Sequence, residues 1–191
     1  MTSIIAFEND NGIIIGSDTM IVNGDYIEMK EKGAKISDDC YVFVSGDSGA
    51  LDALVYILAQ RDDIDKKFIE TGEFDRIYMF NLCQRVSKEL NVMIGELDGF
   101  CLLFASKKGI GIVDSTGYIT PTPMYKFIGI GVGRYSTVAY MDSYAHWTNT
   151  DMRRCSIKLL ESPIQKALEY TSNKVDGVRG CSIITISKDN R

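Results

Sequence analysis

The sequence predicts an α+β protein, a four-layer αββα sandwich, on three observations. The hydrophobic periods run in the order strands, two helices, strands, two helices, strand. Each helical segment carries one apolar face that needs a partner, which a sheet supplies. The strand segments show little sign of a solvated face, as expected for sheets covered on both sides. Two packed sheets with a helix pair on each outer face satisfy all three. The 191 residues, 45% apolar and 25% charged, have an ordinary globular balance. One domain over 1–191 is expected, burying roughly 70% of its unfolded surface.

The chain opens on Thr2-Ser3-Ile4-Ile5-Ala6-Phe7, turns through Glu8-Asn9-Asp10-Asn11-Gly12 and returns through Ile13-Ile14-Ile15-Gly16-Ser17-Asp18. Two apolar runs about a polar turn containing Asn-Gly predict a hairpin. Its first strand starts at residue 2. Asp25-Tyr26-Ile27-Glu28-Met29, Ala34-Lys35-Ile36 and Cys40-Tyr41-Val42-Phe43-Val44 read as strands because β-branched and aromatic residues dominate them. Leu51, Leu54, Val55 and Leu58 fall on one helical face and predict a helix over 50–60. A longer helix is expected over 74–94, with Ile77, Phe80, Asn81, Cys83, Val86, Leu90 and Met93 inward. The charged stretch between the two reads as a loop.

Strands return at Phe100–Ser106, Gly109–Asp114 and 125–130. Gly129-Ile130-Gly131-Val132-Gly133 then leads into a third helix through Val138, Met141 and Tyr144. Asn149-Thr150-Asp151 is expected to cap a fourth helix through Ile157, Leu160, Ile164 and Leu168, with Pro163 kinking or restarting it. Cys181-Ser182-Ile183-Ile184-Thr185-Ile186 closes the chain as a strand. There is no internal repeat and no low-complexity linker.

A net charge of −5 without a long basic run leaves nucleic acid or an anionic membrane no electrostatic footprint. No stretch approaches the ~18 apolar residues of a membrane span, and the N-terminus lacks the basic start of an export signal. Cys40, Cys83, Cys101, Cys155 and Cys181 are odd in number and never spaced Cys-x-x-Cys. They read as small, buried or half-buried hydrophobes in a reducing compartment. A cytoplasmic protein holding no cofactor and no metal is expected.

Three motifs compete for the chemistry. Gly46-Asp47-Ser48-Gly49 matches the stretch around the nucleophile of chymotrypsin-like serine proteases, but that arrangement needs a histidine upstream. The sole histidine, His146, lies far downstream and reads as a surface or cap residue, so the motif reads as a strand-to-helix turn. Gly129-x-Gly131-x-Gly133 is a partial dinucleotide loop outside any βαβ unit, and reads as a place of close backbone approach. The third motif is the terminus. Removal of Met1 would leave Thr2 with a free α-amine, a nucleophile and a base in one residue.

From the terminus onward the residues resemble a known family. Thr2-Ser3-Ile4 matches a Thr-Thr-x opening, and Gly12-Ile13-Ile14-Ile15-Gly16-Ser17-Asp18 matches a strand ending in Gly/Ala-x-Asp. Lys35-Ile36 matches a lysine position after one apparent extra residue. Ser45-Gly46-Asp47-Ser48-Gly49-Ala50 and Ile128-Gly129-Ile130-Gly131 match the glycine turns before the first and third helices. With these pieces in register over most of its length, the chain resembles the N-terminal-nucleophile hydrolases of the proteasome β type. Among them it is most similar to the bacterial HslV threonine peptidases.

The resemblance implies roles for five residues. Thr2 would be nucleophile and α-amine base, and the Lys35 ammonium would lower the amine's pKa from about 7.7–8.0. Asp18 would orient Lys35, and the Gly46 N–H would stabilise the oxyanion, a contribution of around 3 kcal/mol. Asp176 would be an auxiliary aspartate. Two positions depart from the proteasome pattern, Val132 at its auxiliary serine and Ile130 between the two glycines; HslV-like chains also lack the first hydroxyl but normally keep the second.

The implied protein is a threonine-type endopeptidase subunit of a self-compartmentalised protease, cleaving unfolded proteins. Its partners would be copies of itself in stacked homo-oligomeric rings and an ATP-dependent unfoldase on a separate chain. This chain carries no nucleotide-binding motif. Two alternatives share the terminus: a catalytically silent ring-forming subunit, and an amidase acting on a small molecule.

Overall fold

The computed structural model describes residues 1–23, 26–38, 40–60, 62–73, 75–94, 99–120 and 122–188. In chain order the strands β1 (Ile4–Asn9), β2 (Gly12–Ser17), β3 (Met20–Asn23), β4 (Tyr26–Met29), β5 (Gly33–Ser37) and β6 (Cys40–Gly46) come first. Helices α1 (Gly49–Ala59), α2 (Asp63–Thr71) and α3 (Arg76–Ile94) follow. Next are β7 (Phe100–Ser106), β8 (Gly109–Asp114), the short β9 (Ile119–Thr120) and β10 (Ile128–Ile130). Helix α4 (Arg134–Thr148), a 3-10 turn over Ile157–Leu160, α5 (Glu161–Ser172) and β11 (Ser182–Ser187) complete the chain. These elements divide into two units, one formed by Met1–Glu31 with Pro123–Arg191, the other by Lys32–Thr122.

The first unit is built on the expected hairpin. Strands β1 and β2 pair antiparallel from Ile4 with Ser17 to Asn9 with Gly12, and every residue in both is buried. Strand β10 adds to one edge and β11 to the other, giving the order β10-β1-β2-β11. Ile5, Phe7 and Ile14 alternate onto one face, where they pack with Phe127, Met141, Ile164 and Leu168. The Phe7 and Phe127 rings lie 4.7 Å apart. The hairpin turn is held by its own asparagines. Asn9 Oδ1 accepts from the N–H groups of Asn11 and Gly12, while Asn9 Nδ2 donates to the carbonyls of Met152 and Cys155. Strands β3 and β4 form a separate two-stranded ladder.

The second unit is an antiparallel sheet in the order β5-β6-β7-β8-β9. Val42, Val44, Leu102, Phe104 and Val113 pack against Leu54, Leu58, Met79, Leu82, Val86 and Leu90 of α1 and α3. Register shifts between Lys35 and Ser37, a bulge in β5 at Ile36.

Several expectations need correction. The charged loop after α1 is helix α2, whose Phe68 enters the core and whose buried Asp65 pairs with Arg85 of α3. Ile77, Phe80 and Asn81 face outward, and Met79 and Leu82 take the inner positions with Cys83, Val86 and Leu90. Asn149 closes α4 in the left-handed conformation (φ 50°) instead of opening the next helix. That helix begins at Glu161, so Pro163 falls in its first turn, where an N–H is not needed. The strand expected over 125–130 is formed only over Ile128–Ile130. Asp25, Asp39 and Phe74, each included in an expected element, lie outside the described residues, as does the side chain of Met93.

Candidate active site

The terminal strand runs one pair beyond Ile4 and Ser17, and there Ser3 and Asp18 clasp each other. The Ser3 N–H donates to Asp18 Oδ1 at 2.7 Å, and the Asp18 N–H donates to the Ser3 carbonyl at 3.0 Å. Asp18 is fully buried. Thr2 is buried too, at 7% exposure, and its carbonyl accepts from the N–H of Gly133 at 3.0 Å. Gly133 is required there. A Cβ at this position would stand 2.5 Å from Ser3 Cβ and 2.9 Å from Thr171 Cγ2. The close-approach reading of the Gly129–Gly133 glycines is therefore correct, since a Cβ at Gly129 would also meet the Ile4 carbonyl at 2.7 Å.

Asp176 belongs to the same unit and is exposed, in the turn after α5. Its neighbour Gly177 lies against Met1: a Cβ there would be 3.3 Å from Met1 Cβ and 3.8 Å from the Met1 nitrogen. Two residues further, the Arg179 carbonyl accepts from the N–H groups of Thr19 and Met20 at 2.9 and 3.1 Å, tying this turn to the segment after Asp18. The chain end, Asp18 and the 176–179 turn thus come together within one unit.

Lys35 and Gly46 belong to the other unit. Lys35 stands on β5 opposite Tyr41, and its ammonium donates to Asp38 Oδ1 at 2.9 Å with half of the lysine side chain exposed. That contact holds the Asp38 carboxyl below its usual range. Three residues earlier, Lys32 is 4% exposed, and its carbonyl accepts from the Val44 N–H at 2.9 Å. A lysine this deeply covered needs acceptors for its ammonium, which marks it as special in a way the sequence did not signal. Gly46 ends β6 opposite Phe100 with φ 97°, a left-handed value open to glycine. Asp47 Oδ1 then accepts from the Gly49 N–H at 2.8 Å, so Gly46-Asp47-Ser48-Gly49 is the strand-to-helix turn expected.

His146 is exposed in the last turn of α4 beside Trp147, away from any role in this cluster. Cys40 and Cys83 are buried, Cys101, Cys155 and Cys181 half-buried, and all five are free thiols. Among the described residues no group of three or more His, Cys, Asp or Glu side chains is placed to hold a metal ion. Nor is any of their helices long and apolar enough to cross a membrane. Val132 is well exposed and Ile130 is buried. Sequence reasoning also passed over three buried hydroxyls beside the terminus. Ser3 Oγ lies 2.6 Å from Thr137 Oγ1, which lies 2.8 Å from Thr171 Oγ1. Only the alternation that turns Ser3 inward beside Thr2 could have pointed to them.

No family model matches the sequence, and no curated protein sequence matches it either. The structure is similar to a crystal structure of eukaryotic HslV from Trypanosoma brucei, with a TM-score of 0.68 at 12% identity. The similarity covers 97% of this chain and 99% of that one. It shows the fold: the α+β, αββα class of proteasome-like subunits predicted from the order of elements.

Proposed function

We propose that this chain is a threonine-type endopeptidase subunit of a self-compartmentalised protease, active once Met1 is removed. The observation that carries the reading is the Ser3–Asp18 clasp, together with the Gly133 bond to the Thr2 carbonyl. It fixes a buried threonine at the second residue of the chain, where loss of one methionine creates the α-amine. The likeness in fold to HslV supports the same reading.

Thr2 Oγ1 attacks the peptide carbonyl while its own amine takes the hydroxyl proton and returns it to the leaving amide nitrogen. Water then hydrolyses the acyl-enzyme. An ammonium disfavours protonation of that amine and keeps it a base near neutral pH. The resemblance implies Lys35 in this role; we propose Lys32 instead, because Lys35 is engaged by Asp38 at the surface and Lys32 is buried. Asp18 orients the charges, the Gly46 N–H receives the oxyanion, and Asp176 is the auxiliary aspartate. The whole chain acts as one proteasome-subunit-like domain. Copies form stacked rings in the cytoplasm, fed with unfolded protein by an ATP-dependent unfoldase on another chain.

Intact mass spectrometry with and without a peptide epoxyketone tests the reading. The expected masses are those of a chain lacking Met1 and of its single covalent adduct, with peptide cleavage lost in Thr2→Ala. Unchanged cleavage by Thr2→Ala overturns it. A second reading, a silent ring-forming subunit, is favoured by Ile130, which supplies no hydroxyl where the HslV-like pattern has a serine. It expects Met1 retained and no adduct.

A further inference from the structure

The bonds around the terminus close into a ring. The Gly133 N–H holds the Thr2 carbonyl at 3.0 Å, and the Gly133 carbonyl lies 3.1 Å from the Thr137 hydroxyl. Thr137 Oγ1 lies 2.6 Å from Ser3 Oγ, and Ser3 is bonded covalently to Thr2. The circuit Thr2–Gly133–Thr137–Ser3 therefore returns to the residue it started from. A branch leaves it at Thr137 toward Thr171, whose hydroxyl donates to the Ala167 carbonyl at 2.8 Å and so anchors the circuit to α5. Ser3, Thr137 and Thr171 are all completely buried, so water cannot substitute for a missing member.

Each hydroxyl has one proton to give. With Thr171 donating to Ala167, Thr137 closes the circuit when it donates to Gly133 and engages the branch when it donates to Thr171 instead, one at a time; in both arrangements Ser3 donates to Thr137. There is no slack in the packing, since a Cβ on Gly133 would stand 2.8 Å from Ser3 Oγ. A nucleophile at the start of a chain has covalent restraint on one side only, so its position is set by residue 3 and by what grips its carbonyl.

We infer that Thr137 is a positioning residue for Thr2, acting through the Ser3 hydroxyl and the Gly133 backbone. The inference rests on Thr2 being the nucleophile. Thr137 touches neither substrate nor reacting atoms, and its contribution is to hold Thr2 within the tolerance that chemistry requires.

The test compares Thr137→Val, which keeps shape and removes the hydroxyl, with Thr137→Ser, which keeps the hydroxyl. In a peptide-cleavage assay Thr137→Val should lower kcat by about 10- to 100-fold with KM unchanged, as expected for a misplaced nucleophile. Thr137→Ser should stay within about threefold of wild type, as the hydroxyl bonds are kept. Ser3→Ala leaves Thr137 its other bonds and covers the case in which Thr137→Val does not fold; it should show the same loss. The double variant should lose no more than either single one, because both break one circuit. Wild-type kcat in Thr137→Val, an equal loss in Thr137→Ser, or additive losses overturn the positioning role, while an epoxyketone adduct at Thr2 of the wild type upholds the nucleophile. A wild-type protein that neither cleaves peptide nor forms an adduct at Thr2 overturns both.

Discussion

Ser3 and Asp18 bond each other twice, carboxylate to N–H at 2.7 Å and N–H to carbonyl at 3.0 Å. One bond is backbone pairing that any residue could make, and the other needs the Asp18 side chain. Asp18→Ala should therefore cost about 2 kcal/mol of stability by leaving a buried N–H unpaired. Asp18→Asn keeps an acceptor oxygen and should cost about 1 kcal/mol or less, since only the charge is lost. Both variants should lose peptide cleavage by about 100-fold or more if the carboxylate charge is used in the chemistry. Urea unfolding beside steady-state kinetics checks this, and an Asp18→Asn enzyme of wild-type activity would confine Asp18 to a structural role.

Helix α2 depends on a second buried carboxylate. Asp65 receives two bonds from the Arg85 guanidinium, at 2.8 and 3.0 Å, and one from the Tyr78 hydroxyl at 2.9 Å. Asp65 is completely buried, whereas about a third of the Arg85 side chain is exposed. Asp65→Ala should destabilise the protein by about 3 kcal/mol, at the low end for a broken buried pair because water reaches the arginine. Chemical denaturation measures this, and a loss below about 0.5 kcal/mol would mean that Phe68 alone docks the helix.

This helix also marks where the sequence ceases to be legible. The opening hairpin, β6 through β8, α1 and the αββα order follow from apolar periodicity, which is a local signal. Helix α2 has Asp63, Asp65, Lys66, Lys67 and Glu70 among its residues, and what turns Asp65 inward is Arg85, a residue of another helix. The phase of α3 is likewise a tertiary choice, because Ile77 and Phe80 offer as apolar a face as Met79 and Leu82. Asn149 is as good a helix end as a helix start, and only its backbone conformation distinguishes the two. In the candidate site, Thr2 is proposed from its place behind Met1 and Asp18 from the resemblance of the strand end Gly16-Ser17-Asp18. Thr137 and Thr171 give no such signal, since a lone hydroxyl inside a helix looks the same whether it faces solvent or another hydroxyl.

The buried thiols give a pH signature. Burial pushes Cys40 and Cys83 up to about 12, while an unfolded cysteine ionises near 8.5. Above about pH 9 the unfolded chain has released protons that the folded chain keeps, so stability is full below that pH and falls as pH rises toward 12. The slope is about 1 kcal/mol per pH unit for each thiol. Urea midpoints from pH 8 to 11 should decline, and less steeply in a Cys40→Ala, Cys83→Ala variant. Iodoacetamide at pH 9 should leave both residues unmodified until the protein is denatured; ready labelling of the folded chain would contradict their burial.

Lys32 and Lys35 flank Gly33-Ala34 and differ in surroundings more than in chemistry. Lys35 donates to Asp38, whose side chain is fully exposed, and exposed pairs of this kind contribute little to stability. Lys32 is 4% exposed, and an ammonium at such depth is retained when something other than solvation uses its charge. Lys35→Ala should therefore leave kcat within about twofold of wild type and leave the urea midpoint nearly unchanged. On the proposed mechanism Lys32→Ala should abolish peptide cleavage, a loss of about 1,000-fold or more, as expected for removal of a charge that keeps a base unprotonated. Lys32→Arg should rescue folding but not turnover, since the broader guanidinium cannot take the place of a compact ammonium. The discriminating measurement is the kcat/KM pH profile of the two alanine variants beside wild type. If Lys35→Ala is the variant whose acid limb moves to higher pH and whose rate collapses, the ammonium of this chemistry is Lys35 after all, and the burial of Lys32 serves packing alone.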